Sequence, residues 1–293
     1  MAQGAFHLGL VGFPLGHSLS PAIHAAALAC THLEGDYRLF PVPEGPGCKK
    51  QLAGILEEIR THALMGVNVT IPYKQMVIPL LDQLTPVALA TGAVNTIFAE
   101  GDRLVGDNTD VAGFSCDLLD FGFDYLSYPA GALILGSGGS ARAVAYVLTS
   151  AGWQVTIAAR RLAQALELAR DMRQHAPEVM ISPVQLDTPS LHHRNSAWSL
   201  IVNTTPLGMF PDVFSTPWPS DCPFPGQGFV YDLVYNPVET AFLRKARDAG
   251  LPYRNGLGML VRQAATSFER WTRTAPPLEI MMEAIKHHVL NRG

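Results

Sequence analysis

Ala132-Leu133-Ile134-Leu135-Gly136-Ser137-Gly138-Gly139-Ser140-Ala141 decides the fold of this chain. A short apolar run predicts a strand, the glycines that follow predict a tight turn, and 141–150 reads as a helix with Gly152 beyond its end. The cluster fits G-x-G-x-x-A. In a dinucleotide site the first glycine makes the turn, and the second lets a pyrophosphate approach the backbone. The small third residue packs helix on strand, and the helix N-terminus offers N–H groups to the phosphates. That reading assigns Gly136, Gly138, Gly139, Ser140 and Ala141 to a cofactor. The alternative is an ordinary glycine-rich turn, against which the strand–turn–helix context weighs.

The next strand discriminates between dinucleotides. An NAD site has Asp or Glu about 20 residues on, where it binds the ribose 2′-hydroxyl. Here the stretch is Thr156-Ile157-Ala158-Ala159-Arg160-Arg161, with no acid and two guanidiniums. Arg160 and Arg161 suit a 2′-phosphate through charge-assisted bonds, which favours NADP. Two solvated arginines at a helix start are the alternative.

Outward from this unit, short apolar strands alternate with helical patterns. Strands are predicted at 155–159, 179–181, 200–203 and 230–233, and helices at 162–175, 238–249 and 258–272, with a last helix after Pro276-Pro277. Alternation of this kind implies a parallel sheet with right-handed crossovers. Before it, 8–11, 37–42 and 67–71 read as strands, with Val67, Val69 and Ile71 on one face. Helices are predicted from Pro21 to about Thr31, over 49–61, and from Pro72. Segments 94–98 and 103–106 form a hairpin through Glu100-Gly101-Asp102. Thr109 is a candidate N-cap for a helix ending at Gly122.

Composition narrows the function. The chain has 293 residues, 48% apolar and 16% charged, with formal charge −4. It can bury a large core without covalent staples, and its acidic balance argues against a nucleic-acid partner. Its 26 glycines and 22 prolines fall short of a low-complexity composition. Cys30, Cys48, Cys116 and Cys222 form no CxxC or CxxH pair, so reduced thiols and no metal are expected. No basic residue precedes Arg38, and no apolar run approaches the roughly 18–20 residues of a membrane span. A cytoplasmic protein without membrane contact is the expectation.

In the first part of the chain, His17-Ser18-Leu19-Ser20-Pro21 places two hydroxyls at a helix start, with Ser20 as N-cap and Pro21 as N1. This is either a seat for a small carboxylate or a simple cap. Asn68 and Thr70 share one strand face, Lys74 follows in the next turn, and Asn95 and Asp110 stand in two further polar segments.

Together these segments resemble the shikimate dehydrogenase family. The resemblance is carried by Gly-Phe-Pro-Leu-Gly-His-Ser-Leu-Ser-Pro (12–21), Asn-Val-Thr-Ile-Pro-Tyr-Lys (68–74), Gly-Ala-Val-Asn-Thr (92–96) and Gly-Asp-Asn-Thr-Asp (106–110). The glycine cluster, Asn-Thr-Thr-Pro-Leu-Gly-Met (203–209), Asp-Leu-Val-Tyr-Asn-Pro (232–237) and Gly-Leu-Gly-Met-Leu-Val-Arg-Gln (256–263) extend it to about residue 272. It implies reversible, NADP-linked interconversion of 3-dehydroshikimate and shikimate in aromatic amino-acid biosynthesis. By the same resemblance Ser18 and Ser20 hold the carboxylate, and Thr70, Asn95 and Gln263 bind ring hydroxyls with Tyr235 nearby. Lys74 and Asp110 are the catalytic pair. Gly256 and Met259 lie near the nicotinamide, and Asn203, Thr204 and Met209 line its approach. One departure stands out: Ala159-Arg160-Arg161 replaces the family's usual Asn-Arg-Thr.

The expected architecture is α/β: an N-terminal substrate domain (1–112) and a Rossmann-like, doubly wound NADP domain (113–257). Helices in 258–293 return to the first domain, and the ligand cleft lies between the two. The expected partner is a small-molecule substrate, with the chain a monomer or homodimer. An NAD-linked quinate/shikimate dehydrogenase and a non-catalytic relative are the alternatives.

Overall fold

The structure, a computed structural model, describes residues 5–192 and 198–290. The chain forms two compact units. One reaches to Gly113 and resumes at Leu260; the other spans Phe114–Met259. Residues 291–293 of the expected return lie outside the described residues.

The first unit contains β1 (Phe6–Gly12), α1 (Ser20–Cys30), β2 (Gly35–Pro41), α2 (Cys48–Arg60), β3 (Gly66–Val69), β4 (Gln83–Leu84), α3 (Pro86–Thr91), β5 (Thr96–Glu100) and β6 (Arg103–Asp107). Its six strands are ordered β2-β1-β3-β5-β6-β4, with β5 antiparallel to both neighbours. The β5–β6 hairpin turns at Gly101, whose φ of +63° suits glycine. A helix α4 (Asp110–Asp120) follows. Leu52, Leu56 and Ile59 of α2 recur at helical spacing and pack into one core with Val67 and Val69 of β3 and Ile97 of β5.

The second unit holds β7 (Gly131–Leu135), α5 (Gly139–Ser150), β8 (Gln154–Ala159), α6 (Leu162–His175), β9 (Ile181–Gln185), α7 (Thr188–His192), β10 (Leu200–Asn203), β11 (Phe229–Asp232), α8 (Ala241–Asp248) and β12 (Tyr253–Asn255). All strands run parallel in the order β9-β8-β7-β10-β11-β12. This is the doubly wound 3-2-1-4-5-6 order, whose ligand site lies outside the strand C-termini where the order reverses. The reversal falls between β7 and β10. Both strands are almost wholly buried, as expected of strands covered on two faces.

Helix α9 (Leu257–Thr272) contributes its later turns to the first unit, and α10 (Leu278–Leu290) packs on α1. Trp271 of α9 donates from Nε1 to the Ile97 carbonyl at 3.2 Å. A Cβ on Gly66 would fall 2.1 Å from that indole nitrogen, so a glycine in β3 makes room for the helix.

Four local expectations are corrected. Ser20 is the first helical residue and not the N-cap; Leu19 takes the cap position, and Ser20 N–H donates to Ser18 Oγ at 3.3 Å. No α-helix starts at Pro72. Residues 71–77 form successive turns leading to a 3₁₀ turn at Ile78–Leu80, because Pro79 has no N–H to continue an α-helix. Ile71 lies beyond β3 and is exposed. Helix α8 begins at Ala241 and not near Val238, because Thr240 caps it by accepting from Leu243 N at 3.2 Å. Four short elements carry too little periodicity to be read from sequence: β4, α3, α7 and β12.

In the first unit, His24 of α1 is fully buried, stacked on Tyr37 at 4.3 Å and tilted against Trp271 at 5.4 Å. Burial pushes its imidazole down to about 3, opposed by the Asn68 side chain. The folded protein therefore keeps His24 neutral, while the unfolded chain takes up a proton below about pH 6.5. This contribution to stability is present above that pH and is lost as pH falls toward 3, by at most about 1.4 kcal/mol per pH unit. His24→Phe should flatten the decline in Tm between pH 6.5 and 4. An unchanged slope in the variant would refute a buried neutral imidazole.

Candidate active site

In the first unit the structure draws together residues from four segments. Lys74 Nζ lies 2.5 Å from Asp110 Oδ2, and the two side chains are 12% and 6% exposed. Lys74 comes from the turns after β3, and its carbonyl accepts from Val94 N at 2.7 Å, fastening those turns beside Asn95. Asp110 opens α4, and its N–H donates to Asn108 Oδ1 at 3.2 Å.

Asn95 completes the arrangement. Its Oδ1 accepts the backbone N–H of Thr109 at 2.7 Å, so its Nδ2 faces the other way. That nitrogen donates to Asp110 Oδ1 at 2.8 Å and reaches Gln263 Oε1 at 3.4 Å. Gln263 Nε2 donates to the Leu260 carbonyl at 2.9 Å. Asp110 thus offers one oxygen to a neutral amide and the other to the ammonium. A nearly dry ion pair needs such further hydrogen bonds to offset its lost hydration. Of the two residues that the resemblance assigns to ring hydroxyls, Asn95 binds Asp110 directly, and Gln263 touches Asn95.

Tyr37 donates from its hydroxyl to Asn68 Oδ1 at 2.9 Å. Burial pushes the phenol up, opposed by the neighbouring Ser20 side chain. Asn68 Nδ2 in turn donates to the Asn95 carbonyl at 3.1 Å. Thr70 is half-buried directly after β3, and its backbone N–H donates to the Val11 carbonyl at 2.9 Å. The sequence reading gave no role to Asn68, although it lies two residues before Thr70 on the same strand face. It also passed over Tyr37, Thr96 and Ser267, whose proximity is set by distant pairings.

The second unit presents the glycine turn at the sheet's reversal point. Gly136 has φ +111°, and a Cβ there would fall 2.6 Å from Thr204 Oγ1. Thr204 donates from both N and Oγ1 to the Leu135 carbonyl, at 2.9 and 2.8 Å, so the loop after β10 abuts this turn. At Gly138, by contrast, a Cβ would meet nothing within 4 Å. The open space lies at the start of α5, whose first turn directs its N–H groups outward. Ala141 is fully buried between helix and sheet. Arg160 and Arg161, just beyond β8, are exposed, and among the described residues neither forms an ion pair. The cradle, the helix end and the two guanidiniums fit a dinucleotide with a 2′-phosphate.

Asn203, expected to line the nicotinamide's approach, has both side-chain polar atoms bound within the protein. It is fully buried: Nδ2 donates to Asp232 Oδ1 at 2.8 Å, and Oδ1 accepts Thr205 N and Oγ1 at 2.9 and 2.8 Å. Asp232 also accepts from Thr240 Oγ1 at 2.6 Å and from Val234 N at 3.0 Å. Burial, opposed by these bonds, pushes its carboxyl up to about 7. Gly256 is required by backbone packing, since a Cβ would fall 2.1 Å from the Leu233 carbonyl oxygen. Met259 is buried in the first turn of α9, while Met209 and Tyr235 are half-buried in the loops after β10 and β11. Tyr235 belongs to the second unit, whereas the other substrate candidates belong to the first. Among the described residues no group of three or more His, Cys, Asp or Glu could hold a metal ion.

The family model described as shikimate dehydrogenase substrate binding domain matches residues 10–97, and that of the shikimate 5′-dehydrogenase C-terminal domain matches 256–286. The shikimate dehydrogenase (NADP(+)) of Salinibacter ruber is 43% identical over 281 residues, 94% of this chain and 95% of the relative. The crystal structure of shikimate 5-dehydrogenase from Thermus thermophilus, in complex with NADP(H) and shikimate, superposes with a TM-score of 0.82. It is 37% identical and covers 96% of this chain and 99% of its own. Quinate dehydrogenase from Corynebacterium glutamicum, in complex with NAD, gives 0.84 at 30% identity, covering 97% and 99%. With nearly full-length identity above 40% and matching models at both ends, this chain belongs to the shikimate dehydrogenase family.

Proposed function

We propose that this protein interconverts 3-dehydroshikimate and shikimate with NADP, and that Lys74 and Asp110 manage the proton. The observation that carries this reading is the nearly dry Lys74–Asp110 pair, held in register by Asn95. When bound, the dinucleotide supplies or accepts the hydride. In the reductive direction the Lys74 ammonium donates a proton to the oxygen that gains negative charge as its carbon accepts hydride. Lys74 leaves that step as an amine and regains its proton from solvent. The Asp110 carboxylate orients Lys74 throughout, and Ser18, Ser20 and Thr70 supply hydroxyls for the substrate carboxylate and ring. Gly136, Gly138 and α5 would hold the pyrophosphate, and Arg160 and Arg161 the 2′-phosphate. No helix among the described residues is long and apolar enough to cross a membrane. We assign the chain to the cytoplasm, acting on a small molecule as a monomer or homodimer.

Initial rates with shikimate and quinate, each with NADP and NAD, test the assignment. Shikimate with NADP should give the highest kcat/KM, because residues 156–161 carry no carboxylate for a free 2′-hydroxyl. In the same assay Arg160→Ala should raise the KM for NADP at least about tenfold, the loss expected for a hydrogen bond to a charged group. The KM for NAD should barely change, and equal losses for both would remove the 2′-phosphate role.

Lys74→Ala or Asp110→Asn should lower turnover at least about a hundredfold, the lower end for lost acid–base work. Shikimate binding should weaken far less. Turnover near that of the parent in either variant would exclude the pair.

The two glycines of the turn should separate binding from folding. Gly138→Ala places its methyl in open space, so thermal stability should hold while NADP affinity falls at least about tenfold through pyrophosphate exclusion. Gly136→Ala should lower stability as well, because of its φ and the Thr204 contact. Undiminished NADP binding by Gly138→Ala in a fluorescence titration would place the pyrophosphate elsewhere.

A further inference from the structure

Ser267 lies four residues after Gln263 on the same face of α9, and it is fully buried. Its hydroxyl donates to the Gln263 carbonyl at 3.0 Å. The same oxygen accepts from Asn68 Nδ2 at 2.9 Å and lies 2.8 Å from Thr96 Oγ1 and 3.0 Å from Thr109 Oγ1. One hydroxyl therefore ties α9 to β3, to β5 and to the residue preceding Asp110.

Proton direction gives this contact its consequence. A serine hydroxyl has one proton and two lone pairs. With the proton committed to Gln263, Ser267 is an acceptor toward Asn68 and one threonine. The second acceptor within reach of the threonines is Asn95 Oδ1, 3.0 Å from Thr96 Oγ1 and 3.1 Å from Thr109 Oγ1, and it already binds the Thr109 N–H. Ser267 and Asn95 thus divide the two threonine protons. Without Ser267, both threonines are left with Asn95 Oδ1 and with each other, across a 3.1 Å contact, as acceptors, and Asn68 loses a partner. Thr109 Oγ1 also takes a proton from Asn95 Nδ2 at 3.0 Å, so its rearrangement acts on the amide that holds Asp110.

We propose that Ser267 is a positioning residue for the Lys74–Asp110 pair, acting through Thr109 and Asn95. The proposal rests on the functional reading above, and it adds a residue that touches neither member of the pair. Its place on the return helix couples the seating of α9 to the aim of the Asp110 carboxylate.

Single-turnover reduction of NADP by shikimate, measured on the full chain, tests it. Ser267→Ala and the near-isosteric Ser267→Cys should slow hydride transfer roughly threefold to tenfold, with the shikimate KM within about twofold of the parent. Thr266→Val should keep the parent rate, because it loses an equivalent bond to the Arg262 carbonyl on the same helix without touching the cluster. A readout without turnover is the Asn95 side-chain amide in ¹⁵N NMR, which should shift and exchange faster in Ser267→Ala but not in Thr266→Val. Parent rates in both Ser267 variants, or equal slowing in Thr266→Val, would overturn the proposal. A parent inert toward shikimate would sink the functional reading and this inference together; an active parent with unaffected Ser267 variants would sink the inference alone.

Discussion

The backbone N–H of Thr109 decides which way round the Asn95 amide sits, and the arrangement of the Lys74–Asp110 pair follows from that choice. With its oxygen engaged at 2.7 Å, Asn95 must turn its nitrogen to Asp110, which leaves the second carboxylate oxygen for Lys74. Reversing the amide would set oxygen against oxygen. Two opposite charges with little exposure gain their mutual attraction only when geometry and further hydrogen bonds compensate for lost hydration. The mixed sheet supplies both. Antiparallel β5 brings Asn95 beside the end of β3, and the β5–β6 hairpin returns the chain to Thr109 and Asp110.

The second unit presents a different surface, bare backbone at a glycine turn and a helix N-terminus. Its glycines divide the work. Gly136 is demanded by protein packing and φ, whereas Gly138 leaves room for a ligand. The loop after β10 is stiffened from behind by Asn203, Asp232 and Thr240, a fully buried set in which a carboxyl is pushed up to about 7. Such a group contributes opposite in sign to His24. Its folded state binds the proton more tightly, so its contribution falls as pH rises from the ordinary carboxylate range toward 7.

Local errors in the sequence reading share a cause. Ser20 and Pro72 matched the residue preferences of helix starts, but preference does not show where a hydrogen-bond ladder begins. Ser18 reaches Ser20 N–H from outside the helix, and Pro79 interrupts any helix begun at Pro72. Asn203 sits in a motif that the resemblance ties to the cofactor, and its side chain faces Asp232, a partner 29 residues away. Motif membership marks a place in the fold; it does not say which way a side chain turns.

From the sequence alone came the alternation of strands and helices, the glycine turn with its NADP-suited arginines, and the polar segments that hold Lys74, Asn95 and Asp110. These are legible because they rest on short-range physics: periodicity, the φ freedom of glycine, and the charge at one strand end. The tertiary structure alone decided that Asn95 meets both Asp110 and Gln263, that Asn203 faces inward, and that Ser267 meets Asn68, Thr96 and Thr109. Ser267 and Asn68 are 199 residues apart in the chain. A hydrogen bond between them depends on ångström-scale distance and proton direction, which no local pattern encodes.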